Sequence, residues 1–292
     1  MAEGKLTARA GDLPQLVAQQ LIDPVADTSR VVAAGGYEWH VREWGSAEAP
    51  ALLLLHGAGA SSETFWRVGP ALAASGWRSI ALDLPGHGLT GGWRGRHVWI
   101  ETAHDVVTVI RAMGLDGVDL PVIGHSWGAV IAAHLPQAGF PPERMILIDP
   151  PAIGASALAV LANDPTERRY ARLADAIDAI RASGVTWADR DIEAKARALT
   201  QIDDAAARAV YLGNGDYDAA VAAIAWSAAR SPVPIWLIRG EPEQGGLIDD
   251  DARANLAAHV GAEHIITIAG AGHSPQRTHP EATVVAILRG LA

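Results

Sequence analysis

The sequence predicts an α/β fold with a mostly parallel sheet. Six short apolar runs recur along the chain, and helical patterns lie between them. The runs do not alternate apolar and polar residues, as expected for strands that are buried on both faces of a parallel sheet. Strands and helices that alternate in this way are typical of α/β proteins. The predicted strands are residues 51–55, 78–82, 120–123, 145–148, 235–238 and 264–268.

Two elements precede the first of these runs. Residues 14–21 have the spacing of a short amphipathic helix. Residues 31–34 and 38–43 flank Gly35-Gly36 and are predicted to form a hairpin. The helical patterns between the later runs include residues 100–113 and 252–259.

One stretch, from about residue 151 to residue 230, interrupts the alternation. It contains no convincing strand pattern but several Ala-rich helical patterns, at residues 167–182, 191–200, 203–212 and 217–229. The sequence therefore predicts a helical insertion between two strands of the sheet. The expected organisation is a first core part (1–150), a helical cap (151–231) and a second core part (232–292).

The composition predicts a packed globular protein, with 49% hydrophobic and 19% charged residues in a chain of 292. The formal net charge of −10 argues against a nucleic-acid partner, because basic surface supplies most of the affinity in such complexes. The chain has no cysteine, which excludes disulfides, thiolate nucleophiles and Cys-ligated metals.

The N-terminal region and the apolar runs favour a cytoplasmic protein. Residues 1–12 are polar and lack the long apolar core of a signal peptide. No apolar run approaches the roughly 20 residues of a membrane span. We therefore expect no membrane partner.

A short motif at residues 124–128, Gly-His-Ser-Trp-Gly, is the strongest functional signal. An apolar run precedes it and an Ala/Ile-rich stretch follows it, which predicts strand, sharp turn and helix. A serine on such a turn has a strained backbone and an exposed hydroxyl, while the flanking glycines allow strand and helix to pass closely. We refer to residues 124–128 as the elbow and take Ser126 as the candidate nucleophile.

A serine nucleophile needs a general base, and an acyl transfer needs an oxyanion hole. His273 is the best candidate base, because it follows the last predicted strand in a Gly-rich loop. The N–H group of Trp127, directly after the nucleophile, is one candidate oxyanion donor. The N–H group of Ala58, in the loop after the first buried strand, is the other.

Four motifs together resemble the α/β-hydrolase superfamily. They are His56-Gly57-Ala58-Gly59, the turn Asp83-Leu84-Pro85-Gly86-His87-Gly88, the elbow, and Gly272-His273. The resemblance covers almost the whole chain, and the order of the motifs is more specific than any one of them. It implies an eight-stranded, mostly parallel sheet with a helical cap after the sixth strand. It also implies a structural role for Asp83 and His87.

The acid of the expected catalytic triad is open among three residues. The family usually places an aspartate after the seventh strand, where this chain has Glu241 and Glu243 instead. Some relatives use an acid after the sixth strand, where this chain has Asp149, our preferred candidate. In either case the acid would hold the tautomer of His273 and stabilise its imidazolium form.

Ten tryptophans, against two phenylalanines and four tyrosines, are the remaining signal. Most are expected in the core. Trp66, Trp187 and Trp226 are the candidates for lining an apolar pocket between cap and core, which would suit a hydrophobic or aromatic substrate.

The expected activity is hydrolysis of a carboxylic ester or lactone of a hydrophobic small molecule through an acyl-enzyme. This chemistry needs no metal and no organic cofactor. A C–C bond hydrolase, an amidase or a perhydrolase would use the same triad, and a slow-turnover ligand receptor is a remote alternative. A serine at the elbow disfavours haloalkane dehalogenase and epoxide hydrolase chemistry, which use a carboxylate nucleophile. The oligomeric state is open, with a homodimer as one option.

Overall fold

The computed structural model describes residues 5–92, 98–214 and 217–292, so residues 1–4 of the predicted polar N-terminal segment lie outside it. The strands are β1 (Thr28–Ala34), β2 (Tyr37–Trp44), β3 (Ala51–Leu55), β4 (Arg78–Leu82), β5 (Val122–His125), β6 (Met145–Ile148), β7 (Ile235–Arg239) and β8 (Ile265–Thr267). They form one sheet with the order β1-β2-β4-β3-β5-β6-β7-β8. The first two strands form the predicted hairpin, β2 runs antiparallel to β4, and all later pairs are parallel. The predicted eight-stranded, mostly parallel sheet is confirmed.

Helices cover both faces of the sheet. They are α1 (Gln15–Ile22), α2 (Val68–Ala74), α3 (Trp99–Ala112), α4 (Trp127–His134), α5 (Ala155–Leu161), α6 (Leu173–Ala182), α7 (Asp189–Gln201), α8 (Asp204–Leu212), α9 (Tyr217–Arg230), α10 (Asp250–Val260), α11 (Pro275–Thr278) and α12 (Pro280–Leu291). One apolar core lies between the sheet and α3, α4, α9 and α10. A second lies on the other face, against α1, α2 and α12.

The central strand β3 shows why the apolar runs do not alternate. Leu53 and Leu55 pack into the first core, whereas Leu52 and Leu54 pack into the second. All four side chains are fully buried, and burial of each stabilises the fold by about 1.5–3 kcal/mol. Both faces of the strand therefore require apolar residues.

The strand register places the ends of three neighbouring strands side by side. Leu55 of β3 lies opposite Gly124 of β5, and His125 of β5 lies opposite Ile148 of β6. The residues that follow these strands therefore emerge at the same edge of the sheet. This edge is where open α/β sheets bind ligands.

The segment between β6 and β7 is helical, as the sequence predicts. Its described residues form α5 to α9 and no strand. Helices α6 and α7 pack on each other around a small apolar cluster of their own. Helix α9 packs against α4 and α10 and so joins the helical layer on the sheet. The division of the chain into separate domains at residues 151 and 231 stays a prediction.

Most predicted helix ends lie within two residues of the observed ones, but one helix begins well after its predicted start. The helix predicted from residue 167 begins at Leu173. The Oδ1 atom of Asp164 accepts hydrogen bonds from the N–H and the hydroxyl of Thr166, both at 2.7 Å. Glu167 then turns its carboxylate toward Lys195 of α7. These local hydrogen bonds compete with the helix over its predicted first turn.

Candidate active site

Ser126 lies on the tight turn between β5 and α4. Its backbone has φ 53° and ψ −120°, a conformation that costs a residue with a side chain about 1–3 kcal/mol. A Cβ atom on Gly124 would lie 2.3 Å from the carbonyl oxygen of Gly128. A Cβ atom on Gly128 would lie 2.5 Å from the carbonyl oxygens of Leu55 and His56. The flanking glycines are therefore required by the close approach of strand, helix and neighbouring loop.

A continuous hydrogen-bonded chain joins Ser126, His273 and Asp149. The Nε2 atom of His273 lies 3.0 Å from Oγ of Ser126, and its Nδ1 atom lies 2.7 Å from Oδ2 of Asp149. Ser126 directly follows β5 and Asp149 directly follows the neighbouring β6, while His273 lies in the loop between β8 and α11. Such a chain can move a proton from a serine hydroxyl to an imidazole that a carboxylate orients.

The carboxylate of Asp149 is fully buried and receives several hydrogen bonds. The N–H of Gly240 donates to Oδ1 at 3.2 Å, and the N–H of Leu247 donates to Oδ2 at 2.9 Å. The backbone N–H of Asp149 donates to the carbonyl of Ile238 at 2.7 Å. These donors replace the water that a buried carboxylate loses. They also fix the carboxylate beside His273.

Glu241 and Glu243, the two alternative acids, do not contact His273 in the described structure, so these two predictions were wrong. Glu241 pairs with Nζ of Lys5 at 2.5 Å and accepts a hydrogen bond from the N–H of Gly270. Glu243 is exposed on a short 3-10 turn, Pro242–Gln244. The loop after β7 is pressed against the His273 loop, because a Cβ atom on Gly240 would lie 2.3 Å from the carbonyl oxygen of Gly272. This loop therefore presents backbone N–H groups, rather than a carboxylate, to the buried Asp149.

The loop after β3 lies against the elbow. A Cβ atom on Gly57 would lie 3.0 Å from both Cβ of Ser126 and Nδ1 of His125. Ala58, the next residue, lines the same cavity as Ser126, and so does Trp127. The structure thus brings both candidate oxyanion donors to the cavity that contains the candidate nucleophile.

His56 holds this loop in place. Its Nδ1–H donates to the carbonyl of Gly57 at 2.8 Å, and its Nε2 accepts from the N–H of Leu84 at 3.0 Å. Burial lowers the pKa of His56, which favours this neutral tautomer. The sequence contains no local signal for this cross-link, since Leu84 lies in a different turn.

The turn that contains Leu84 is structural, in line with the implied role of Asp83. Asp83 is buried and accepts hydrogen bonds from the N–H groups of Ser62 (2.7 Å) and Leu89 (2.8 Å), and it contacts Nδ1 of His40 at 3.1 Å. Burial alone would raise its pKa, but these hydrogen bonds and the nearby His56 lower the pKa to about 2. His87 packs its ring 5.3 Å from the ring of Trp127.

His125 holds the backbone of His273 in place and packs against its ring. Sequence reasoning missed this role. The Nε2–H of His125 donates to the backbone carbonyl of His273 at 2.9 Å, and the two rings lie 4.9 Å apart. Burial lowers the pKa of His125 well below its usual value, so the ring remains neutral. Its position next to Ser126 was the only signal in the sequence.

A cavity of about 400 Å³ opens onto Ser126 and His273. It lies between the loops at the strand ends and the helical segment, with walls that include residues of α5, α7 and α8. Its volume falls within the range of small-molecule sites. Its larger apolar lining side chains include Trp99, Trp127, Leu158, Leu161, Trp187, Val185, Val210 and Leu247.

Only one of the three tryptophans predicted to bind substrate lines this cavity. Trp187 does, whereas Trp66 and Trp226 do not. The Nε1–H of Trp66 donates to Oδ1 of Asp191 at 2.8 Å, and two arginines stack on its ring. Trp226 lies on α9 with the guanidinium of Arg230 over its ring. Both predictions were wrong, because the number of tryptophans in a sequence does not tell which way each side chain points.

Polar and charged side chains from the helical segment complete the cavity wall. Nζ of Lys195 is buried and lies 2.8 Å from both carboxylate oxygens of Glu167. The hydroxyl of Tyr211 donates to Oε2 of Glu167 at 2.6 Å. A Cβ atom on Gly59 would lie 2.4 Å from Oε2 of Glu167, so this ion pair lies directly on the loop of Ala58. Arg277 of α11 also lines the cavity.

The described residues contain neither a cluster of metal-binding side chains nor a helix that could span a membrane. No group of three or more His, Asp or Glu side chains in this part of the chain is placed to hold a metal ion. None of the described helices combines the length and the apolar character that crossing a membrane requires.

The chain matches parts of known proteins. It is 39% identical over 102 residues to the magnesium-chelatase 30 kDa subunit of Rhodobacter capsulatus, which is 35% of each chain. It is 39% identical over 126 residues to protein phosphatase methylesterase 1 of Mus musculus, which is 41% of this chain and 29% of that protein. These matches span about a third of the length of the curated relatives.

The fold is similar to that of solved hydrolases. The structure of E-2-(acetamidomethylene)succinate hydrolase matches 91% of this chain and 99% of its own, with a TM-score of 0.76 and 22% sequence identity. At this identity the match shows the fold alone. The family model described as the alpha/beta hydrolase family matches residues 52–287, from β3 into α12. Because this match covers more than half of the chain and the fold agrees with it, the protein belongs to the alpha/beta hydrolase family.

Proposed function

We propose that the protein is a serine hydrolase that cleaves a carboxylic ester or lactone through an acyl-enzyme. The hydrogen-bonded chain from Asp149 through His273 to Ser126, with contacts of 2.7 and 3.0 Å, carries the proposal. Membership of the alpha/beta hydrolase family supports hydrolytic chemistry. The similarity to a methylesterase is consistent with an ester as the substrate.

In the first half-reaction, Oγ of Ser126 attacks the ester carbonyl while Nε2 of His273 takes the hydroxyl proton. The negative charge that develops on the carbonyl oxygen is stabilised by the N–H groups of Ala58 and Trp127. His273 then gives its proton to the leaving alcohol, and Ser126 becomes an acyl ester. Asp149 keeps the proton of the neutral imidazole on Nδ1 and stabilises the imidazolium.

In the second half-reaction, a water molecule attacks the acyl ester while Nε2 of His273 takes its proton. The tetrahedral intermediate collapses, His273 returns the proton to Oγ of Ser126, and the acid leaves. The side chain of His273 is 30% exposed, so water can reach the imidazole. No metal or organic cofactor takes part in these steps.

The cavity supports a substrate with a substantial apolar part. Tryptophan and leucine side chains make up much of its wall, and such surfaces bind hydrophobic or aromatic acyl and alcohol groups. The same triad could cleave amides or C–C bonds, or could transfer the acyl group to hydrogen peroxide instead of water. Assays with one substrate of each class would separate these activities from ester hydrolysis.

The proposal is tested with p-nitrophenyl esters and a fluorophosphonate probe. Ser126→Ala is expected to lower kcat by about 10³-fold or more and to abolish labelling, because the nucleophile is lost. Ser29→Ala, on the exposed strand β1, is the matched control and should retain both. Hydrolysis and labelling that survive in Ser126→Ala would exclude the proposed nucleophile. A labelled wild-type protein without sustained turnover would favour a receptor.

A further inference from the structure

Arg277 is a buried cation in the wall of the cavity. It lies on α11, four residues after His273, and is only 7% exposed. Its side chain lines the cavity together with Ser126 and His273. Burial lowers the pKa of its guanidinium, because the charged form loses its hydration. An arginine nevertheless remains charged in proteins.

The guanidinium of Arg277 has few partners for a group with five N–H donors. One Nη2–H donates to the hydroxyl of Thr64 at 3.2 Å, and the ring of Trp187 covers the guanidinium at 4.3 Å. Its Nε–H has no hydrogen-bond partner among the described residues. No carboxylate of these residues forms an ion pair with it, whereas the neighbouring Arg67 pairs with Asp191.

The two carboxylates that act on Arg277 are each paired with another cation. Asp191 is already bonded by Arg67 and by the indole N–H of Trp66. Glu167 is already bonded by Lys195 and Tyr211. Both carboxylates act on Arg277 through space, but their ion pairs are made with Arg67 and Lys195, so Arg277 has no direct ion-pair partner among the described residues. A buried charge without a paired counter-charge is costly, and an anion that enters the cavity would supply such a partner.

We propose that the substrate carries a carboxylate, separate from the bond that is cleaved, and that Arg277 binds it. The planar guanidinium matches a carboxylate with two parallel hydrogen bonds. The ring of Trp187 covers one face of the guanidinium, so a ligand would approach from its other side. The apolar walls would hold the part of the substrate between its carboxylate and its ester. This inference rests on the proposed ester hydrolysis at Ser126.

The test compares p-nitrophenyl half-esters of linear dicarboxylic acids of several lengths with their neutral methyl esters. For at least one length, the wild-type protein is expected to show a kcat/KM about 10- to 100-fold higher for the half-ester. Arg277→Gln should remove this preference, so that the half-ester and the neutral ester are hydrolysed with similar kcat/KM. Arg190→Gln, an exposed arginine over Trp66 that does not line the cavity, is the matched control and should keep the preference.

Two outcomes separate this inference from the proposed function. Wild-type protein that hydrolyses the neutral esters at Ser126 but shows no preference at any length would overturn the inference and leave the serine mechanism intact. If no ester is hydrolysed and Ser126 is not labelled, the mechanism fails. Carboxylate binding is then judged by thermal shift with the free dicarboxylic acids, which should stabilise the wild-type protein but not Arg277→Gln.

A purely structural role for Arg277 predicts different behaviour. Arg277→Met removes the charge but keeps an unbranched apolar side chain. On our proposal its Tm without ligand is unchanged or raised, because an unbalanced buried charge has been removed, and the carboxylate preference is lost. A lower Tm together with an unchanged preference would show that Arg277 only supports α11.

Discussion

The Oδ2 atom of Asp149, at the end of β6, lies 2.7 Å from Nδ1 of His273, in the loop after β8. These residues are 124 positions apart in the chain. Their contact requires β6, β7 and β8 to lie side by side, as they do in the sheet. The sheet order therefore determines which carboxylate can reach the histidine.

Asp149→Asn should lower kcat for ester hydrolysis by about 10³- to 10⁴-fold, because the amide no longer holds the required tautomer of His273. KM should change little, since the carboxylate does not face the cavity. Glu241→Gln and Glu243→Gln are the controls and should retain kcat within a few-fold. The measurement is kcat and KM of the wild type and the three variants on one p-nitrophenyl ester. A normal kcat in Asp149→Asn would exclude Asp149 as the acid.

Gly128→Ala should destabilise the protein by about 3 kcal/mol or more, because its Cβ would collide with two backbone carbonyl oxygens at 2.5 Å. Gly11→Ala is the matched control. A Cβ atom there meets nothing within 4 Å, and the same exchange should be neutral. Urea unfolding of both variants measures the difference, and equal midpoints would contradict the close packing at the elbow.

Glu167→Gln should destabilise the protein by about 3 kcal/mol, because it leaves the ammonium of Lys195 buried without a counter-charge. The double variant Glu167→Gln/Lys195→Met should recover much of this loss, since no buried charge remains. Urea unfolding of the two single variants and the double variant forms a complete cycle. Additive effects in this cycle would show that the two side chains do not act as a pair.

Asp105→Asn should stabilise the protein above neutral pH. Burial, with a smaller contribution from the charge of Glu101, raises the pKa of Asp105 to about 6, against about 3.9 in an unfolded chain. The folded wild-type protein therefore gains stability as the pH falls from above 6 to below 4, where the carboxyl is protonated in both states.

The expected gain in unfolding free energy for Asp105→Asn is about 1 kcal/mol at pH 8, because solvent screens this half-exposed group. The gain should disappear at pH 4. Urea unfolding at the two pH values measures it, with pH 4 as the internal control. A gain of equal size at both pH values would point to a cause other than ionisation.

The sequence predicted the parts of the site that depend on local pattern. The apolar runs located the core strands because each is buried on both faces. The glycines of the elbow located Ser126 because close packing there leaves no room for a side chain. The Gly-rich loop located His273 in the same local manner.

Residues whose position depends on distant parts of the chain were not predictable. Glu243 has the expected offset after β7, but the loop turns at Gly245, with φ 86°, and leaves the glutamate exposed. Trp66 follows the oxyanion loop, but Asp191 of α7 draws its indole N–H away from the cavity. Arg277 lacks an ion-pair partner among the described residues because the nearby carboxylates pair with Arg67 and Lys195, and no local pattern could reveal this.

Because Asp149 directly follows β6, it precedes the helical segment in the chain. The candidate nucleophile, the candidate acid and both candidate oxyanion donors lie between residues 58 and 149, ahead of the helical segment. Of the candidate triad, only His273 comes after it. Insertions, deletions or exchange of α5 to α8 would therefore leave the spacing between Ser126 and Asp149 unaltered. The part of the cavity wall that α5 to α8 supply can therefore be exchanged as one contiguous fragment, while Arg277 and the candidate triad stay in place.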